Sequence, residues 1–473
     1  MKKRILIVLL AMALALLPAC VKKDDDKGTS KETQSQVEYL DDLAPTDQYD
    51  GVEFRALAGN PSAESNFLMA DPGAEATLLQ SASYKCVLGL DERFGISVRY
   101  KFMDSYSAGH KAFLQEITST TMGGAETAYD MVVPGYWYGL TIAKGSYINL
   151  NTLSNLDFSK PYWNQAFNEN VEINDYLYAC VGDFSLDSIT GAYATVFNQK
   201  IINDQGMTSP FTHYDNNTWT LDTMLQMAKD ASNDDIAGSE TYGVLLSRQP
   251  IDAFYTSSGL RFYTVNDGDF VLTKYSDTAE NLYQKLYQVT KNKEVCKFSS
   301  VSEKAELLEL FVQDRALFGF FALDEMKSLR NMQSDYGVIV YPKYDKTQAE
   351  YITGTTGGGI FAVPKSARDP EMSALVMEAM SAAFYQNVRP ALIEVTLEGQ
   401  SVRDARSSSM ISEIIESIYW DFGFINHTSL KNVAEFGKKM EDGYETMSGW
   451  YYGVETQYED ALIEYLNGFL TGE

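Results

Sequence analysis

The alternation of strand and helix patterns between residues 52 and 133 constrains the fold most. Val52 to Ala58 (VEFRALA) and Ile96 to Phe102 (ISVRYKF) alternate at period two, and Tyr129 to Val133 (YDMVV) is a short apolar run. Between them lie two helical segments. One follows the loop Gly59–Asn60–Pro61–Ser62 and ends near Gly95; the other covers Ala108 to Ser119 and closes at Gly123–Gly124. A β-α-β-α-β order calls for a mostly parallel sheet, because parallel neighbours need a crossover connection. In open sheets of this kind ligands bind beyond the carboxyl ends of the strands. Tyr136, Trp137 and Tyr138 stand just past YDMVV, and at least one of these adjacent rings is expected to face a cleft.

A second alternation follows. The stretch Tyr176 to Lys200 (YLYACVGDFSLDSITGAYATVFNQK) has two apolar runs around a polar, acidic middle. It reads as a segment that leaves one core, crosses solvent and enters another, with its middle exposed in a cleft. Beyond it, Tyr242 to Ser247, Ala316 to Ala322 and Tyr336 to Tyr341 read as strands, and Phe262 to Leu272 as a hairpin turning at Asn266–Asp267–Gly268. Helices are expected over Trp219 to Ala231, Gln249 to Ser258, near 278–291 and 302–313, and from Asp324. Gly357–Gly358–Gly359 precede the short buried strand Ile360–Val363, and Asp369–Pro370 opens a long helix; the chain then stays mainly helical to Leu470. The run from Gly357 to Ala362 matches G-x-G-x-x-A in form. A dinucleotide site needs those glycines between a strand and a helix, and here they precede a strand. With 473 residues the chain has room for two or three domains.

The beginning of the sequence reads as an address. Lys2, Lys3 and Arg4 precede an apolar run from Ile5 to Leu17 that is short for a membrane span and suited to a secretory signal. It ends in Leu17–Pro18–Ala19–Cys20, which resembles a bacterial lipobox, whose Cys carries lipid. From Val21 to Val37 the sequence is polar and charged, as a tether is. The formal charge is −27. Removal of residues 1–19 leaves 35 basic against 65 acidic residues, or −30, which argues against a nucleic-acid or anionic-lipid surface. Cys86, Cys180 and Cys296 are an odd set among apolar neighbours, and buried free thiols are expected.

These pieces together resemble extracellular solute-binding proteins of family 1, the lipoprotein receptors of ABC sugar importers. The resemblance rests on Leu17–Cys20, on YDMVVPGYWYGLTIAKG (129–145), on the crossing stretch with its ending Phe197–Asn198–Gln199–Lys200, and on the strand–helix–strand set of 315–367. It spans residues 50 to 390. It implies an α/β fold of two lobes around a ligand cleft, like periplasmic binding proteins, with a mainly helical C-terminal part. Residues 1–19 would be a signal peptide and 20–49 a flexible tether. Lobe one would take 50–187 and 343–390, and lobe two 188–342 and 391–473. The implied function is capture of a carbohydrate, an oligosaccharide by preference, through hinge closure, and its delivery to ABC transporter permease subunits.

Aromatic platforms beside carboxylates and amides suit such a ligand, since flat rings stack on sugar CH groups while acidic side chains accept from hydroxyls. The candidate ligand-binding residues are Tyr136, Trp137 and Phe321 for stacking, and Asp183, Ser185, Asp187 and Asp324 for hydroxyls. Gly357 and Gly358 would allow close backbone approach. Asn60 and Trp420 are secondary candidates. An exported carbohydrate-active enzyme is the alternative class, with Asp183, Asp187 and Asp324 as candidate acids; a surface sensor or adhesion protein is a third. His110, His213 and His427 show no ligand spacing and no G-x-S-x-G occurs, so neither a metal, nor a cofactor, nor a hydrolase elbow is expected. If Cys20 carries the lipid, Cys20→Ser releases the protein from membranes into the soluble fraction; an unchanged membrane fraction on immunoblotting contradicts the anchor.

Overall fold

A computed structural model describes residues 39–59, 73, 76–105, 109–123, 129–134, 146–232, 241–266, 269–300, 303–355, 357–396 and 405–471. The first alternation becomes β1 (Val52–Ala58), α1 (Leu78–Phe94), β2 (Ile96–Phe102), α2 (His110–Gly123) and β3 (Met131–Val133). These strands are parallel in the order β2-β1-β3, with Val52 opposite Ile96 and Ala56 opposite Met131. Helix α1 starts where Thr77 and Gln80 cap each other's backbone amides, and stops at Gly95. Only glycine fits there, because φ is +64° and a Cβ would lie 2.6 Å from the Asp50 Cα.

Short bridged segments from far along the chain then extend the same sheet. Ala362 bridges Val132, Phe361 bridges Cys180, and Gly182 bridges Trp163, all antiparallel. So residues 360–363 lie beside β3, residues 178–182 beside them, and 162–164 outermost. Next come α3 (Gln165–Val171), α4 (Asp187–Thr190) and β4 (Tyr193–Asn198).

The second sheet, in the order β10-β4-β9-β5-β8, joins β4 to β5 (Tyr242–Ser247), β8 (Cys296–Ser299), β9 (Ala316–Ala322) and β10 (Tyr336–Ile339). Strand β4 runs antiparallel to β9 and β10, whereas β9, β5 and β8 are parallel. Between β5 and β8 lie α5 (Arg248–Ser257) and the hairpin of β6 (Tyr263–Asn266) and β7 (Asp269–Leu272). Aromatic packing fills the core beneath. Phe254, Phe320 and Tyr341 meet with ring centroids 4.8–4.9 Å apart, and buried Trp219 donates its indole N–H to the Val340 carbonyl at 2.9 Å.

The tail holds α6 (Pro370–Ala383), a π-helical turn at Phe384–Val388, α7 (Arg389–Thr396), α8 (Ala405–Glu416) and α9 (Phe436–Glu441). Asp369 caps α6 ahead of Pro370, as the Asp–Pro pair predicts. Among the described residues Cys86, Cys180 and Cys296 are buried and unpaired, and no helix is long and apolar enough to cross a membrane. Packing begins at the first described residues. Arg93 of α1 grips buried Asp41 through two bonds of 2.8 and 2.6 Å, donates to the Leu43 carbonyl, and lies 3.8 Å from the Tyr39 ring centroid.

Buried Asp252 of α5 accepts the Gly437 N–H of α9 at 2.5 Å, with Arg248 nearby. Burial pushes its carboxyl from the ordinary 3.8 up to about 8. The folded group therefore keeps a proton that the unfolded chain releases near pH 4. Its contribution to stability is full below that pH and is lost as pH rises through about 8. Asp252→Asn removes this slope. Its melting temperature should gain on the parent's between pH 5 and pH 8 and hold the gain above; a difference independent of pH would show that Asp252 is ionised throughout.

Candidate functional site

Both sheets direct strand ends at three segments that lie side by side. The first crossing, residues 183–192, leads from the first sheet into β4. The return, residues 340–359, leads back from β10. Tyr193 donates its N–H to the Gly354 carbonyl at 3.0 Å, next to the bridge between Ala192 and Thr355. The end of β9 joins them, since the N–H groups of Leu323 and Asp324 donate to the carbonyls of Ala192 and Thr190. A third segment, Ser417–Tyr419, lies beside them and was not expected from a tail read as helical. Its backbone pairs with both sides of Thr353, and the hydroxyls of Thr353 and Ser417 are 2.8 Å apart.

The first crossing has two faces. On one, Asp187 Oδ1 accepts the Gly359 N–H at 2.9 Å and the Ser185 hydroxyl. Burial raises the Asp187 carboxyl above its ordinary value, and these two donors oppose the rise. Gly359 lies so close that an added Cβ would be 2.5 Å from Ser185 Oγ and 2.9 Å from Val133 Cγ1, at the end of β3. At Gly358 the obstacle is backbone, with Ser188 Cα at 2.4 Å. Gly357 adopts φ +120° and donates its N–H to Thr355 Oγ1. The structure thus brings together Ser185, Asp187, Gly357 and Gly358, with exposed Asp324 joined by its backbone to Thr190.

The opposite face carries Asp183. Its carboxylate accepts two 2.6 Å bonds from Arg389, whose guanidinium rests 4.5 Å from the Tyr385 ring centroid. Burial pushes Asp183 up to about 6, and Arg389 works against that rise.

Several expectations need correction. The middle of the crossing stretch is buried, not exposed: Asp183, Ser185 and Ser188 are all covered, because the return and the helical tail pack against it. Phe184 meets Phe361 and Phe384 at 5.7 and 5.4 Å. Asp183 is committed to Arg389 and is not available to a ligand hydroxyl in the cleft. Phe321 is buried, its ring 5.9 Å from Phe311 and packed over Gly319, so it cannot stack on a ligand. Trp420 is fully buried edge-on to Phe167. A 3-10 turn at Met326–Asn331 replaces the helix expected from Asp324. Cys20, Asn60, Tyr136 and Trp137 lie outside the described residues. Arg389 and the Ser417–Tyr419 segment were missed; no local pattern marks an arginine that pairs with a residue 206 positions away.

No family model matches the chain, and no curated protein matches it. Solved structures do. The galacto-N-biose-/lacto-N-biose I-binding protein of an ABC transporter from Bifidobacterium longum, in complex with lacto-N-biose, superposes with a TM-score of 0.57 at 14% identity, over 88% of this chain and 98% of its own. The cyclic alpha-maltosyl-1,6-maltose binding protein from Arthrobacter globiformis gives 0.56 at 13%, over 89% and 100%. A cyclo/maltodextrin-binding protein complexed with maltotetraose gives 0.53 at 15%, over 88% and 96%. The chain therefore has the two-lobed α/β fold of periplasmic binding proteins.

The glycine contacts yield a stability test. Gly358→Ala places a methyl group against the Ser188 backbone and forces the first crossing and the return apart. Overpacking of this kind costs about 1–3 kcal/mol. Denaturant titration should show a midpoint lowered accordingly, and an unchanged midpoint would mean that the two segments part freely.

Proposed function

We propose that this chain is the extracytoplasmic solute-binding protein of an ABC importer, held at the cell membrane by lipid on Cys20, and that it captures a carbohydrate between its lobes. The observation that carries this reading is the meeting of both sheets at hydrogen-bonded crossing segments, in a fold shared with sugar-binding proteins of ABC transporters. Such segments are few and run in register, so bending them changes the angle between lobes while leaving each sheet intact. Ligand drives closure only through its higher affinity for the closed form.

In this reading Asp187 and Asp324 accept from sugar hydroxyls, Ser185 orients Asp187, and Gly357 and Gly358 keep the backbone within reach of the ligand. Tyr136 and Trp137, beyond β3, supply stacking faces. The permease subunits take the closed, loaded form. No catalytic step is assigned: Asp183, one of the candidate acids, is tied to Arg389.

A thermal-shift screen of oligosaccharides tests the reading, with lacto-N-biose and maltotetraose among the probes. A true ligand at 100 times its Kd adds about 2.7 kcal/mol, and X-ray scattering should then record a smaller radius of gyration. Hydrolysis of a saccharide, or a radius of gyration unmoved by a ligand that stabilises the chain, would overturn it.

A further inference from the structure

We propose a second binding site on the face of the first crossing turned away from Gly359, shaped for a small hydroxylated amine of about monosaccharide size. A cavity of about 320 Å³ opens there. Its walls are Trp163 and Asn164 at the outer edge of the first sheet, Asp183 and Ile189 of the first crossing, Arg389 of α7, and Glu416 at the end of α8. Ser185 and Asp187 turn the other way, toward Gly359 and Val133. The crossing segment therefore stands between this cavity and the proposed sugar cleft.

The lining selects a chemistry. Asp183 and Arg389 neutralise each other. Glu416 is exposed at the cavity and has neither an ion-pair nor a hydrogen-bond partner among the described residues, so one negative charge is left over. An ammonium group answers it, and an anion is repelled by it. Gln165 also lines the cavity; its Nε2 donates to the carbonyls of Phe158 and Lys160, which leaves its amide oxygen to accept from a ligand hydroxyl. Ile189 and the flank of Trp163 suit the CH face of such a ligand.

One of the walls, that of Asp183 and Ile189, belongs to the first crossing. On the hinge reading given above, occupancy of this cavity shifts the closing equilibrium; binding itself does not depend on that reading.

Calorimetry and thermal shift on the full chain decide the matter with three probes of one size: glucosamine, glucose and glucuronate. Glucosamine should bind and raise the melting temperature, with glucose at least about tenfold weaker and glucuronate without effect. Glu416→Gln, an exposed substitution, should weaken glucosamine about tenfold. Ala166→Leu, which fills the cavity wall, should abolish binding. Binding should persist when a cleft saccharide saturates the protein, and equally if no saccharide is found for the cleft. Absence of glucosamine binding, equal affinity for the three probes, full affinity in Glu416→Gln, or displacement by a cleft saccharide would each overturn the site.

Discussion

Everything else in the molecule depends on the contact between the first crossing and the return. The two run so close that backbone meets backbone at Gly358 and Ser188, and side chain meets backbone where Asp187 receives the Gly359 N–H. No residue with a Cβ fits Gly358 without a shift. That single constraint sets how the lobes are joined. It places Ser185 and Asp187 on one face, Asp183 on the other, and keeps a polar segment covered where solvent was expected. The cost of covering Asp183 and Asp187 is met by specific donors: Arg389 for one, and Ser185 and Gly359 for the other.

Much of the architecture was legible in the sequence because it rests on local patterns. β1, β2, β5 and β9 fall on the residues where period-two alternation or short apolar runs put them, and α1 stops at the glycine that ends its pattern. Turn chemistry placed the hairpin of β6 and β7. β8 was missed because CKFS is short and only half apolar. The Ser417–Tyr419 segment was missed because its three residues sit between helical patterns and are held in place by Thr353, far away in sequence.

The candidate site was legible only where the reading did not depend on which way a side chain turns. Ser185, Asp187, Gly357 and Gly358 do converge, since the crossing stretch was recognised as a connection and the glycines as a place of close backbone approach. Phe321 shows the limit. It lies at the expected end of β9, but period two sends alternate residues to opposite faces, and its ring goes down onto Gly319 and Phe311. Asp183 shows another: its acidity was visible, whereas the arginine that neutralises it comes from a different part of the chain.

The sheet that β1 begins is finished by residues 360–363, which lie against β3 and the 178–182 segment. Until that late piece arrives, the edge of β3 has unpaired backbone groups, and Phe184 lacks both Phe361 and Phe384. A chain synthesised from its N-terminus therefore cannot complete its first lobe until most of the second has been made. The order of assembly runs against the order of synthesis, and contacts of such long range slow the search for the native state. For the exported chain proposed above, this delay is an advantage: the stretch that would otherwise fold first needs residues made late in the chain to complete its sheet.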